Sequence, residues 1–219
     1  MEQQKLLRAG QAAWRVTLDD IRRRFPGSAA ASLRPVKVRG DHDLNPDFGP
    51  PLDKIREAAV LVPLVDRPEG LTVIFTQRTA HLSAHAGQIS FPGGRREPTD
   101  KNPEDTALRE TEEEIGLSRD RVEVLGRLDT YMTRTGFRVT PVVGLVRPPF
   151  TVDPDPTEVD EVFEVPLSVI LDPANPQTHS RELMGTQRHF YAFPYQNRFI
   201  WGATAGMLVN LRDVLHGAS

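Results

Sequence analysis

Between Phe91 and Leu117 the chain reads FPGGRREPTDKNPEDTALRETEEEIGL, and this stretch constrains the fold more than any other. Asn102 has the side chain of a helix N-cap, Pro103 suits the first helical position, and Glu104 and Asp105 favour the positive end of a helix dipole. Gly116 supplies the stop. The spacing predicts a helix over Pro103 to Ile115, preceded by Gly93 and Gly94, whose backbone can approach an ion or ligand without a side chain in the way. On that helix Leu108, Thr111 and Ile115 share a face that packs inward. Glu110, Glu113 and Glu114 share another, with β-carbons roughly 5–6 Å apart.

Three like charges at that spacing repel by roughly a few tenths of a kcal/mol per exposed pair, and a divalent cation relieves the repulsion. A solvated helix face also carries such charges, so the glutamates alone do not define a site. The surrounding charge sharpens the reading. From Glu97 to Glu114 there are eight acids against two bases, whereas the whole chain carries a formal charge of −3. The rest of the chain is therefore net positive. With a pI of about 6.1, nothing supports a nucleic-acid binder that relies on a basic surface. Cysteine is absent, which excludes disulfides, thiolate metal sites and a cysteine nucleophile. A metal must then be held by oxygen or imidazole, and carboxylates with water suit magnesium. No window approaches the ~20 apolar residues of a membrane span, so no membrane partner is expected and the cytoplasm is the default compartment.

Residues 1 to about 25 show helical apolar spacing (Leu6, Leu7, Trp14, Leu18, Ile21, Phe25) ending in Arg22 to Arg24. Pro26 to Asp53 is rich in Pro, Gly and Ala and reads as a covering arm. The predicted organisation is thus an N-terminal helix and arm over residues 1–54 and a main domain over 55–219. Within it, Ala58–Val65 and Leu71–Thr76 read as a hairpin, Val122–Tyr131 and Arg138–Val146 as strands, and Arg147–Thr157 as a proline-rich loop. Val159–Val165 and His189–Phe193 are shorter strands, and Gly202–Leu215 closes the domain as a helix. This order predicts an α/β or α+β domain with helices on the faces of a mixed sheet. Glu158, Asp160, Glu161 and Glu164 form a second acidic patch, one member of which, Glu161 by expectation, completes a metal site or serves as a base.

The segment Arg109, Glu110, Thr111, Glu112, Glu113, Glu114, Ile115, Gly116, Leu117 resembles the second half of the Nudix box at nearly every defined position. The interval from Gly94 to Arg109 is one residue longer than the usual spacing, and Asp100 or Lys101 stands where the box has its first Glu. Upstream, Thr76, Arg78 and the run HLSAHAGQISFPGG from His81 to Gly94 resemble the signature of the coenzyme A diphosphatase branch, with Ser83 where that signature often has arginine. Phe199 to Leu208 is similar to the closing helix of the same branch.

The resemblance implies a Nudix fold, a mixed β-sheet sandwiched between α-helices, with the box as a loop–helix–loop. It implies Mg²⁺ or Mn²⁺ held by Glu110 and Glu114, with Glu113 as a further ligand or water-orienting base, the Gly94 carbonyl near the ion, and Arg109 orienting the glutamates. Arg78, His85 and Arg95 or Arg96 are the implied phosphate contacts, since arginine forks onto phosphate oxygens. The implied reaction cleaves the pyrophosphate of coenzyme A or acyl-coenzyme A into adenosine 3′,5′-bisphosphate and 4′-phosphopantetheine. The alternatives are a Nudix pyrophosphatase for ADP-ribose, dinucleotides or nucleoside triphosphates, and a non-catalytic nucleotide-sensing module. A homodimer is expected only on the commonness of two-fold assemblies.

Overall fold

The computed structural model describes residues 16–25, 37–47, 55–81, 86–183 and 185–217. In chain order the strands are β1 (Val38–Gly40), β2 (Arg56–Arg67), β3 (Gly70–Arg78), β4 (Ile89–Ser90), β5 (Gly93–Arg95), β6 (Val122–Arg127), β7 (Thr130–Met132), β8 (Phe137–Val146), β9 (Val159–Pro166), β10 (Gln177–Leu183), β11 (Thr186–Tyr195) and β12 (Arg198–Trp201). The helices are α1 (Leu18–Arg24), α2 (Pro103–Ile115), α3 (Leu167–Leu171) and α4 (Ala203–His216).

The two most apolar runs, AAVLVPLV in β2 and VTPVVGLV in β8, lie side by side and parallel, from Arg56 opposite Phe137 to Val65 opposite Val146. Near-continuous apolar strands are what burial on both faces demands. The nine-stranded sheet runs β1-β7-β8-β2-β3-β4, with β5 on β2, β6 on β8 and β9 on β3. Alternation along β2 assigns the faces. Ala59, Leu61 and Val65 belong to the clusters that include Ala107 and Ile115 of α2. Ala58, Val62 and Leu64 belong to the main core with Ile21, Phe25 and the α4 residues Leu208, Leu211 and Val214. The sheet is therefore mixed and sandwiched between helices, as the sequence predicts.

The predicted hairpin is present, with Leu64 opposite Val73 and the turn closed at Arg67 and Gly70. Helix α2 spans the predicted residues. Asn102 accepts the Asp105 N–H at 2.8 Å, and Gly116 takes the left-handed conformation at φ 65°. The described part of the N-terminal helix is the short α1, capped reciprocally by Thr17 and Asp20. The expected helix over residues 1–15, with Trp14, lies outside the described residues.

Three expectations are corrected. The strand expected over Val122–Tyr131 is two strands, because buried Asp129 leaves the ladder. It accepts from Lys37 N–H (3.1 Å), Arg39 Nε (3.3 Å) and Asn210 Nδ2 (2.9 Å), and its own N–H goes to Asn210 Oδ1. Part of the expected arm is a strand, since β1 pairs in parallel with β7. Its partners are backbone groups, which no apolar pattern announces. Residues Phe199–Trp201, which the resemblance places in the closing helix, lie in β12 of a separate three-stranded sheet β10-β11-β12. The helix begins only at Ala203.

Replacing Asn102 by Ala removes the cap on α2 and should lower the unfolding free energy by about 1 kcal/mol, read from the midpoint shift in urea at an unchanged slope.

Candidate active site

The short strand β5 runs antiparallel to β2, with Gly93 opposite Val60, Gly94 opposite Ala59 and Arg95 opposite Ala58. Gly93 has φ 149°, and a Cβ there would fall 2.5 Å from the Val60 Cα, so only glycine fits. From β5 the chain turns through Glu97–Asp100 into α2. Asp100, 4% exposed, is the centre of that turn. Its carboxylate accepts the Glu97 N–H (2.8 Å), the Thr106 hydroxyl (2.9 Å), and Arg109 Nε and Nη2 (2.9 and 3.0 Å). The Arg109 guanidinium beside it holds the Asp100 carboxyl far below the usual carboxylate range.

Arg109 uses all five of its N–H donors. Besides the fork onto Asp100, Nη2 donates to the Arg95 carbonyl at 3.0 Å, and Nη1 donates to Glu110 Oε1 at 3.0 Å and Glu113 Oε2 at 2.9 Å. Of the two candidates for the first acid of the box, Asp100 thus holds the arginine, while Lys101 donates only its backbone N–H, to Asp105.

The three glutamates do not share one environment. Glu114 is 5% exposed; its Oε2 accepts the Gly93 N–H at 3.0 Å and its Oε1 faces Arg78 Nη1 at 3.4 Å. Burial pushes its carboxyl up to about 7, with the charges of Glu110 and Glu158 acting in the same direction. Burial also raises Glu110, against the pull of Arg109. Glu113, by contrast, has a side chain 59% exposed. The shared solvent face read from helical spacing is therefore split. Ala107, Thr111 and Ile115 define the buried side, Glu114 is buried with them, and Leu108 is half-buried. The Gly93 N–H of β5 holds the Glu114 carboxylate, a contact that spacing along the helix alone does not reveal.

Among the described residues no group of three His, Asp or Glu side chains is arranged to hold a metal ion. Glu110 and Glu113 turn to Arg109 instead. The donor set nevertheless fits a hard cation. Buried Glu114 and half-buried Glu110 have raised pKa values that a positive ion would reverse, and the Gly94 backbone lies directly against Glu110. A Cβ at Gly94 would fall 2.5 Å from the Glu110 Cδ.

Beside this cluster opens a cavity of about 620 Å³. Gly93, Gly94, Arg95 and Arg78 line it at the box, with apolar walls that include Phe91, Phe137, Trp201 and Met207. Of the residues read from sequence as phosphate contacts, Arg78 and Arg95 line the cavity. Arg96 is not among its lining residues; its Nη2 donates to the Asp100 carbonyl at 3.2 Å, which ties it to the turn before α2. His85, like Ser83, lies outside the described residues. In the second acidic patch, Glu161 is ion-paired with Arg198, whereas Glu158 stands 3.7 Å from Arg78 Nη2. The pairing of Arg78 with Val159 across β3 and β9 brings Glu158 there, a register that sequence reading did not supply.

A mixed sheet between helices, with a capped loop–helix that gathers carboxylates beside an arginine-lined cavity, suits chemistry on anionic phosphate groups. The model of the NUDIX domain family matches residues 55–185. The chain is 42% identical over 159 residues to the Nudix hydrolase NudL of Photorhabdus laumondii subsp. laumondii, covering 73% of this chain and 84% of that one. It is 39% identical over 170 residues to Nudix hydrolase 15, mitochondrial, of Arabidopsis thaliana, covering 74% of this chain and 60% of the plant protein's length. Among solved structures, the Nudix hydrolase RenU of M. smegmatis matches with a TM-score of 0.52 at 21% identity, over 75% of this chain and 88% of that one.

The chain belongs to the Nudix family and is a hydrolase acting on pyrophosphate bonds. Nudix hydrolases generally need divalent metal ions. No helix among the described residues is long and apolar enough to cross a membrane. One relative is named mitochondrial, so family membership does not set the cytoplasm as the compartment.

Two substitutions should move stability in opposite senses. Asp100→Asn removes one partner of a buried ion pair and should cost about 3 kcal/mol at pH 7. The depressed carboxyl contributes stability above the unfolded-state value of about 3.9, so the gap to wild type should close as pH falls below that. Glu114 is raised in the folded protein to about 7. The metal-free protein therefore loses stability as pH rises from the unfolded-state value of about 4.3 towards that point. Glu114→Gln should leave the metal-free protein more stable than wild type at pH 8 and matched to it near pH 4, measured by chemical denaturation in chelator.

Proposed function

We propose that the chain hydrolyses the pyrophosphate linkage of coenzyme A or its acyl derivatives, releasing adenosine 3′,5′-bisphosphate and 4′-phosphopantetheine. The observation that carries this reading is where the upstream signature lies. Arg78, Gln88, Ile89, Ser90, Phe91, Gly93 and Gly94, all within or next to the run that resembles the coenzyme A diphosphatase branch, line the cavity that adjoins Glu110 and Glu114. A substrate recognised by that signature would therefore meet the carboxylates.

In this reading Glu110, Glu114 and the Gly94 carbonyl hold Mg²⁺ or Mn²⁺, with Glu113 as a further ligand or as the base. The bound ion supplies charge neutralisation at the pyrophosphate and a lowered pKa for water. The chain's own groups do the rest. Arg78 and Arg95 offer guanidinium donors to the phosphate oxygens and hold the anhydride against the box. A water oxygen bonds to one phosphorus, the bridging P–O bond breaks, and the bridging oxygen leaves on the other phosphate. Glu113, solvent-exposed and steadied by Arg109, takes the proton that the water gives up. Arg109 itself is the positioning residue, since Asp100 fixes its fork and Glu110 and Glu113 hang from its third nitrogen.

The test is incubation of purified protein with Mg²⁺ or Mn²⁺ and, separately, coenzyme A, an acyl-coenzyme A, ADP-ribose, NADH and a nucleoside triphosphate, with products read by mass. Release of phosphopantetheine and adenosine bisphosphate should be fastest. Faster cleavage of another diphosphate overturns the substrate, and binding without cleavage of any overturns the enzyme in favour of a sensor. Glu114→Gln should lower kcat by roughly two orders of magnitude or more while the fold is kept. Retained hydrolysis would remove Glu114 from the ligand set.

A further inference from the structure

We infer that Arg134, Arg181 and Arg188 form a second anion subsite in the cavity, outside the box, that takes a terminal phosphate monoester of the substrate. The inference rests on the reading above, in which the substrate carries a ribose 3′-phosphate besides its pyrophosphate.

All three side chains line the same cavity as Gly93, Gly94 and Arg95. They reach it from two separate sheets. Arg181 in β10 stands directly opposite Arg188 in β11. Like charges facing each other across an antiparallel pair destabilise the sheet. Arg134 comes from the turn between β7 and β8, and adds a third positive charge. Loss of solvent, and then the charge of Arg134, lower the Arg188 guanidinium from its ordinary value, so the two are electrostatically coupled.

Two other arginines of the cavity, Arg39 and Arg78, differ. Arg39 is paired with Asp129 and Asp213, and Arg78 with Glu114 and Glu158. Among the described residues, no carboxylate is in ion-pair contact with Arg134 or Arg181. Asp41, which lines the cavity nearby, has both oxygens engaged. Oδ1 accepts the Tyr131 hydroxyl and Oδ2 accepts the backbone N–H of Arg134, each at 2.8 Å.

The backbone that carries the cluster is held in place before any ligand arrives. Asp41 fixes the Arg134 turn. Asn45 Nδ2 donates to the Asp41 carbonyl (2.8 Å) and to the His189 carbonyl (2.9 Å), and Asn45 Oδ1 accepts the His189 N–H (2.9 Å). One hydrogen-bond chain therefore ties the turn bearing Arg134 to the strand bearing Arg188. Three arginines that folding brings to one cavity, two of them directly opposite each other across β10 and β11, match a dianionic phosphate monoester, whose oxygens accept forked N–H pairs.

The experiment has two arms. In the first, kcat/KM is measured for coenzyme A and 3′-dephospho-coenzyme A, which differ only in the terminal phosphate, with wild type, Arg134→Gln/Arg181→Gln and Arg188→Gln. Wild type should prefer coenzyme A by at least about tenfold, and each variant should bring the ratio within about threefold. In the second, calorimetry compares adenosine 3′,5′-bisphosphate with adenosine 5′-monophosphate on the same proteins without metal. The bisphosphate should bind wild type at least about tenfold tighter, and the variants should lose that margin. Arg134 and Arg181 are exposed, so the double variant keeps the test valid if Arg188→Gln fails to fold.

Hydrolysis of both coenzymes with no preference, or a preference that the variants keep, overturns the subsite and leaves the proposed function standing. Failure to cleave either coenzyme, with the bisphosphate margin present in wild type and lost in the variants, supports the subsite and overturns the function. Equal binding of the two nucleotides by wild type overturns the subsite whatever the activity.

Discussion

Arg109 carries a single charge on a rigid fork, and its five donors fall on four different parts of the chain: Asp100, the Arg95 carbonyl, Glu110 and Glu113. Remove that fork and the turn Glu97–Asp100, the strand Gly93–Arg95 and the second half of the carboxylate helix lose their common partner. A buried guanidinium is tolerable only when its donors are satisfied, and a buried carboxylate only when it is paired. Asp100 and Arg109 meet both conditions for each other. The remaining nitrogen is then free to hold Glu110 and Glu113, which otherwise repel.

The same site shows what the fold leaves unbalanced. Glu114 is buried under β5 with one backbone donor and a long contact to Arg78, so its charged form is disfavoured in the protein alone. Elsewhere in the lining of the cavity, Arg181 stands opposite Arg188 across a strand pair, and Arg134 lines it too. In the proposed reading, the carboxylates beside the glycine backbone would meet a cation and the arginines of the cavity a phosphorylated substrate. Perturbed groups of this kind gather at functional sites because folding alone gives no reason to keep them. The parallel pair β2 and β8 is what makes this arrangement stiff. It anchors β5 on one edge of the register, the Arg134 turn at its start, and α2 on one face.

Helix α2 was legible to the residue, because its cap, its first-turn proline and its left-handed glycine are all local signals. The β2–β3 hairpin and the closing helix were legible for similar reasons, as were the sheet and its sandwiching helices in outline. The strands that escaped were β1, β4, β5, β10 and β12, whose sequences are short or polar; β1 pairs with a strand far along the chain, whereas β10 and β12 join β11 through local hairpins that no apolar alternation announces. The split at Asp129 escaped because its cause, Asn210, lies in the last helix.

By itself, then, the sequence determined which residues could carry the chemistry: the glycine loop, the capped helix with its glutamates, and the arginine beside them, since each depends on neighbours within a few residues. Only the tertiary structure decided where each one sits and what it touches. It buried Glu114 and exposed Glu113 on the same helix, gave Asp100 to Arg109, turned Arg96 away from the cavity, and brought Glu158 instead of Glu161 towards Arg78. Those choices follow from strand register and from which backbone covers which side chain, and neither is encoded in local spacing.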